Sequence, residues 1–199
     1  MFATTSESGA PSPDEGRILL EIARRSLRSF LGMENPSEDP LPRPFPPGLE
    51  ARKGLFISLH RDKELRGCVG ILEPVSPLHQ MAAELAVAAA SRDPRFLPVQ
   101  AEECPHLTME ISVLSPAHPI SSAGEIRIGR DGLLVSRGED RGVLLPQVAT
   151  EHGWSAEEFL RHAFAKAGLA DEESVKWSKA QEGRALVQTF SAALYQGPA

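Results

Sequence analysis

Only two cysteines, Cys68 and Cys104, occur in 199 residues, which excludes both a disulfide framework and a zinc site built from four thiolates. Positive charge is in deficit as well: 21 Lys and Arg stand against 27 Asp and Glu, a formal net charge of -6. No global basic field exists to draw in a phosphate backbone, which argues against nucleic acid as the main partner. The longest apolar run, Leu85 to Ala90, is alanine-rich and far short of the ~20 residues a membrane-spanning helix needs. No basic stretch followed by an apolar one opens the chain, so a secretory signal is not expected and the cytoplasm, with reduced thiols, is the expected compartment. Gly-x-Gly-x-x-Gly, P-loop and Gly-x-Ser-x-Gly patterns are missing, and with them the usual signatures of dinucleotide, nucleoside triphosphate and serine-hydrolase chemistry. The six histidines, at 60, 79, 106, 118, 152 and 162, include no pair at helical ligand spacing, so no metal and no cofactor is expected.

What is present is 41% hydrophobic residues, enough for one substantial core or two small ones sharing a wall. Residues 1–13 read as a flexible tail and 14–199 as one domain with room for two lobes. Ser12-Pro13-Asp14-Glu15 is a helix start: a cap, a proline at the first helical position and a glutamate placed to reach back. Leu19, Ile22, Ala23, Ser26, Leu27, Phe30 and Leu31 follow at the spacing of a buried helix face. Residues 35–48 hold six of the 17 prolines, which rules out regular helix and predicts an extended surface crossing. Gly54 to Leu59 and Leu65 to Ile71 flank a polar His60 to Glu64 as hairpin strands do. Ser76-Pro77 opens a second helix with Leu78, Met81, Ala82, Leu85 and Ala89 inward, and Asp93-Pro94 ends it.

The alternation from Leu107 to Val113 predicts a half-buried strand. Ile126–Ile128 and Leu133–Val135 flank a Gly129 to Gly132 turn, and Val143 to Leu145 reads as a further strand. Ser155 and Glu158 form a capping box, with Trp154 placed to staple onto Phe159, and Gly168 stops that helix. A last strand spans Leu186 to Ala192. Trp154, Phe159, Phe164 and Trp177 are read as core. The order of strand pairs, helix, strands, helix and strand reads as α+β in two weak halves.

Cys68 is the most reactive-looking position. In a regular strand Arg66, Cys68 and Gly70 share one face, which puts a guanidinium about 7 Å from the thiol, close enough to lower its pKa. Gly67 and Gly70 leave backbone that a small ligand can approach. The alternative is packing, since a free cysteine usually behaves as a small buried hydrophobe, and Cys104 is read that way. Asp93 and Arg95 form a second constellation, held by Pro94, which either orients a charged ligand or ties the loop down.

Leu65-Arg66-Gly67-Cys68-Val69-Gly70, Asp93-Pro94-Arg95-Phe96, Glu110 to Leu114, Leu145 to Ala149 and Lys166 to Leu169 together resemble the AMMECR family, in register from about Gly16 to Ala192. The chain is similar to its bacterial and archaeal branch, also called AmmeMemoRadiSam system protein A. The family more often has Ile where Val69 stands. The resemblance implies an α+β fold, an antiparallel-rich mixed β-sheet with flanking helices and two unequal lobes, with the Arg-Gly-Cys motif near a crevice between them, Memo-like and radical-SAM partners, and a shared site lined by Arg66, Gly67, Cys68, Gly70, Asp93 and Arg95. It delivers no reaction. Three functions follow as expectations: a component of a modification pathway in which Cys68 handles a small molecule, a non-catalytic interaction module with Cys68 structural, or a regulator holding an acidic ligand on Arg66 and Arg95.

Overall fold

A computed structural model describes residues 9–33, 40–169, 174, 177 and 185–199. The expected tail over 1–8 and the part of the proline crossing at 35–39 lie outside the described residues. The chain divides into two compact units, Met1–Leu114 with Ala193–Ala199, and Ser115–Ala192. Among the described residues no helix is long and apolar enough to cross a membrane.

In the first unit, α1 (Pro13–Phe30) begins where its sequence says. Ser12 accepts from Glu15 N–H, and Glu15 answers by accepting from Ser12 N–H at 2.8 Å. The same carboxylate accepts from Gly48 N–H at 2.8 Å, so the cap also fastens the end of the proline crossing. There a helical turn not expected from so many prolines, α2 (Pro47–Glu50), forms with proline at its first position. Leu19, Ile22, Ala23 and Leu27 are buried as expected. Phe30, placed on that face by its spacing, is 49% exposed at the last residue of the helix, while Leu27 before it is buried and Leu31 after it packs against the core. The tail is anchored closer to the amino end than expected: Pro11 is buried and its carbonyl accepts from Tyr195.

Strands β1 (Leu55–Arg61) and β2 (Glu64–Ile71) form the expected hairpin with a tighter tip. Asp62 and Lys63 both have positive φ, 52° and 70°, the two-residue turn whose twist suits flanking strands. The sheet continues through β3 (Leu107–Leu114) to β8 (Ala192–Pro198) in the order β2-β1-β3-β8. One face carries Leu55, Ile57, Leu59, Met109, Ile111 and Val113, and packs into a core with α1 and the alanine-rich α3 (Leu78–Ser91). Alanines 82, 86 and 89 let α3 approach the sheet, and Gly67 answers them: a Cβ there would sit 2.2 Å from the Ala89 carbonyl oxygen. Pro77, not Ser76, occupies the cap position of α3, with no side-chain cap bond.

The second unit has its own sheet, β4-β7-β5-β6, made from β4 (His118–Pro119), β5 (Gly132–Arg137), β6 (Asp140–Leu144) and β7 (Leu186–Phe190). Helix α4 (Pro146–His152) follows β6, and α5 (Ala156–Lys166) buries Phe159, Leu160, Ala163 and Phe164 in this unit's core. Two expectations are corrected here. Residues 126–128 are not a strand, because buried Asp131 accepts from Arg127 N–H at 2.9 Å and closes a local turn. The expected final strand is two strands, β7 and β8, in different sheets. Phe159, Phe164 and Trp177 are core as read, but Trp154 is half-buried and stacks between the His152 and His162 rings at 4.6 and 3.8 Å.

Candidate functional site

Strand β2 lies at the edge of its sheet, so backbone groups on its outer side need partners from elsewhere. The loop that leaves α3 supplies one. The N–H of Cys68 donates to Asp93 Oδ2 at 2.8 Å. Asp93 is held in turn by Arg95, which donates from Nε to Oδ1 at 2.9 Å, from Nη2 to Oδ2 at 2.6 Å and from its backbone N–H to Oδ1 at 3.1 Å. The Asp93 side chain is 3% exposed, and such a buried carboxylate is stable only when its lone pairs are taken by donors. Hydrogen bonds from Arg95, then those from the Cys68 and Arg95 backbone, hold it well below the usual carboxylate range against the opposing effect of burial. Arg95 is raised, first by its bonds to Asp93 and in smaller part by the charge of Cys68.

The strand is not regular at the motif. Leu59 pairs with Gly67 and His60 with Leu65, so Arg66 is the extra residue of a β-bulge, a feature that re-aims a side chain. Its guanidinium is taken up elsewhere: Nε and Nη2 each donate to Glu103 over 2.9 Å, and Nη1 to the Leu97 carbonyl over 2.9 Å. These bonds hold the Glu103 carboxyl below its ordinary range. Arg66 thus forms a pair with Glu103 that pins the 97–103 segment to β2.

Cys68 itself is partly exposed. Its sulfur accepts from the Ser58 hydroxyl at 3.1 Å, the residue directly opposite on β1. Gly70 lies under the Phe56 ring, whose nearest atom would be 2.1 Å from an added Cβ. Gly67 faces α3. Cys104 is 2% exposed, and burial pushes its thiol up. Among the described residues no group of three or more His, Cys, Asp or Glu is placed to hold a metal ion.

The sequence profile of the AMMECR1 family matches residues 20–192. The chain is a member of the AMMECR1 family. A protein of Methanothermobacter thermautotrophicus is 47% identical over 165 residues, 79% of this chain and 84% of that one. One from Methanocaldococcus jannaschii is 42% identical over 164 residues, 78% of this chain and 80% of its own length. The crystal structure of the uncharacterised protein PH0010 from Pyrococcus horikoshii superposes with a TM-score of 0.80 at 36% identity, covering 92% of this chain and 91% of that one. The α+β fold is thus the AMMECR1 fold.

Within this AMMECR1-family chain, Cys68, Asp93 and Arg95 come together, with Cys68 and its carboxylate partner 25 positions apart. Arg66 is anchored beside them, and the two glycines serve close packing, Gly67 on the α3 side and Gly70 under Phe56. Sequence reasoning missed Ser58 and Glu103. For Glu103 the only local signal is its i+3 spacing from Gln100, whose N–H it accepts at 3.0 Å. Ser58 carries no signal of its own, because only the bulge brings it opposite Cys68.

Proposed function

We propose that this AMMECR1-family protein handles a small molecule at Cys68, as a component of a modification pathway beside Memo-like and radical-SAM proteins. The partner part of this reading rests on the resemblance of the Leu65 to Gly70 motif to the AmmeMemoRadiSam branch. The chemical part rests on one observation: a partly exposed thiol whose backbone is locked by Asp93 and whose sulfur faces a hydroxyl donor, with Arg95 as the nearby cation. A donor and a positive charge both favour the thiolate, the form that attacks electrophiles. The Asp93–Arg95 clamp fixes the backbone from which that thiol projects, which suits a covalent or orienting role. Cys104, by contrast, is 2% exposed, and burial pushes its thiol away from the reactive form.

The test is alkylation of the folded protein by iodoacetamide, resolved by residue through mass spectrometry. Cys68 should react in the native state with a rate that climbs with pH, while Cys104 stays protected. A Cys68 that reacts only after unfolding would end the covalent reading and leave the interaction module in its place.

A further inference from the structure

The loop that leaves α3 is closed at its base. Val99 N–H donates to the Ala90 carbonyl at 2.8 Å, so residues 91–98 form a compact loop whose ends meet. Its backbone is held from inside as well: Phe96 N–H donates to the Asp93 carbonyl at 3.2 Å, and Arg66 Nη1 donates to the Leu97 carbonyl at 2.9 Å. Asp93, bonded to Arg95 and to the Cys68 N–H, and Val99, 3% exposed, root it in the first unit. None of these holds uses the side chain of Leu97, a residue 83% exposed. The fold gains nothing from a leucine there.

Other apolar groups accompany it. Arg66 grips the Leu97 carbonyl, which brings that leucine to the sheet edge where Leu65, 37% exposed, precedes Arg66 on β2. Pro94 and Pro98 are exposed on the same loop. The exposed charges of residues 91–98 are all of one sign. Asp93 is buried in its pair with Arg95, whereas Arg92 and Arg95 are exposed. Arg92 makes no ion pair among the described residues, and Arg95 spends Nε and Nη2 on Asp93, which leaves Nη1 for another acceptor. Exposed carboxylates stand only at the flanks, Glu64 before Leu65 and Glu102 after the loop.

We propose that Leu97, with Leu65 beside it, anchors a partner protein through a segment of that partner in which apolar side chains are flanked by carboxylates, received by Arg92 and Arg95. Burying a leucine gains most when its loop is already ordered, because no further ordering opposes it. Carboxylates are the complement of two arginines with donors to spare. A second copy of this chain fits less well, since a two-fold contact lays the same patch on itself and sets Arg92 and Arg95 against their own copies. A lipid surface also fits less well: a single leucine buries too little to hold a protein on a membrane, and a net charge of -6 opposes an anionic one. This surface is separate from the thiol chemistry, and either can fail without the other.

The probe is a library of random peptides, each about a dozen residues long, displayed on phage and selected on the full chain after depletion on Leu97→Ser. Enriched peptides should combine Asp or Glu with leucine or aromatic residues. A synthetic copy, titrated by fluorescence anisotropy, should bind Leu97→Ser roughly 10- to 100-fold and Arg92→Gln roughly 2- to 5-fold more weakly than wild type, and salt should weaken it further. Leu97→Ser should melt within about 2 °C of wild type. No enrichment, peptides without carboxylates, or equal binding to Leu97→Ser overturns the inference. So does a larger fall in melting temperature, since the leucine would then serve the fold. Two other results overturn it in favour of a different occupant: phosphatidylserine vesicles that sediment wild type but not Leu97→Ser assign the tip to lipid, and a dimer in analytical ultracentrifugation that Leu97→Ser dissolves assigns it to a second copy.

Discussion

The backbone N–H of Cys68 donates to the carboxylate of Asp93 over 2.8 Å, so the edge strand that carries the thiol is closed at that residue by a side chain 25 positions away. Asp93 is thereby a structural residue for β2. Its pairing with Arg95 depends on its remaining ionised.

Asp93→Asn should destabilise the fold by about 2–3 kcal/mol, read as a lowered urea midpoint at pH 7. Breaking a buried ion pair costs ~3–5 kcal/mol, discounted here because the Arg95 side chain is 56% exposed. The pH dependence has a definite sign. The folded carboxyl is depressed from 3.8, so its contribution is complete above that region and is lost as acid protonates the unfolded chain first and then the folded one. Wild-type stability should fall more steeply than that of Asp93→Asn below about pH 4. Parallel curves would show that Arg95 does not hold the charge.

Gly67→Ala should be costlier than Gly70→Ala. An added Cβ at 67 meets backbone, the Ala89 carbonyl oxygen at 2.2 Å, whereas at 70 it meets the Phe56 ring. Helix α3 must move for the first, at roughly 2–3 kcal/mol, while a side chain can turn away for the second at roughly 1 kcal/mol. Thermal melts of the two variants decide the order.

Arg66 and Glu103 should prove structural. Removing Glu103 leaves Arg66, its side chain 18% exposed, without a carboxylate, and removing Arg66 leaves Glu103 with only the longer Arg61 contact at 3.7 Å, at a cost of about 1–3 kcal/mol. Arg66→Met with Glu103→Met should recover much of that loss. Because this exchange leaves net charge unchanged, Cys68 alkylation in the double variant should remain within about twofold of wild type. A large fall in reactivity would show that Arg66 acts on the thiol as well.

Local chemistry made parts of this fold legible. Ser12, Pro13 and Glu15 announce α1 within four residues, Ser155 and Glu158 announce α5, and the alternation from Leu107 to Val113 announces β3, because each signal lies inside the element it defines. The candidate site was legible only in its membership. Cys68, Asp93 and Arg95 are motif residues, but nothing within Leu65 to Ile71 shows that Arg66 bulges out of the pairing. The two-residue tip at Asp62 and Lys63, counted back as a regular hairpin, would set Ser58 opposite Gly67; the bulge moves it to Cys68. That extra residue is fastened by Glu103, which is 37 positions away, and long-range pairing of this kind leaves no period in the sequence. Trp154 illustrates the same limit, since its spacing fits a core staple while its ring stacks on two histidines brought up from either side.

The central claim is that Arg95, clamped on Asp93, is the cation that sets the reactivity of Cys68. Arg95→Gln removes a positive charge and leaves the Asp93 carboxylate facing the thiol alone, two changes that both raise the thiol pKa. The alkylation rate of Cys68 from pH 6 to 9.5 should shift to higher pH by about one unit, roughly a tenfold slower reaction at neutral pH, and Arg95→Lys should recover part of it. A profile that superposes on wild type would contradict the account.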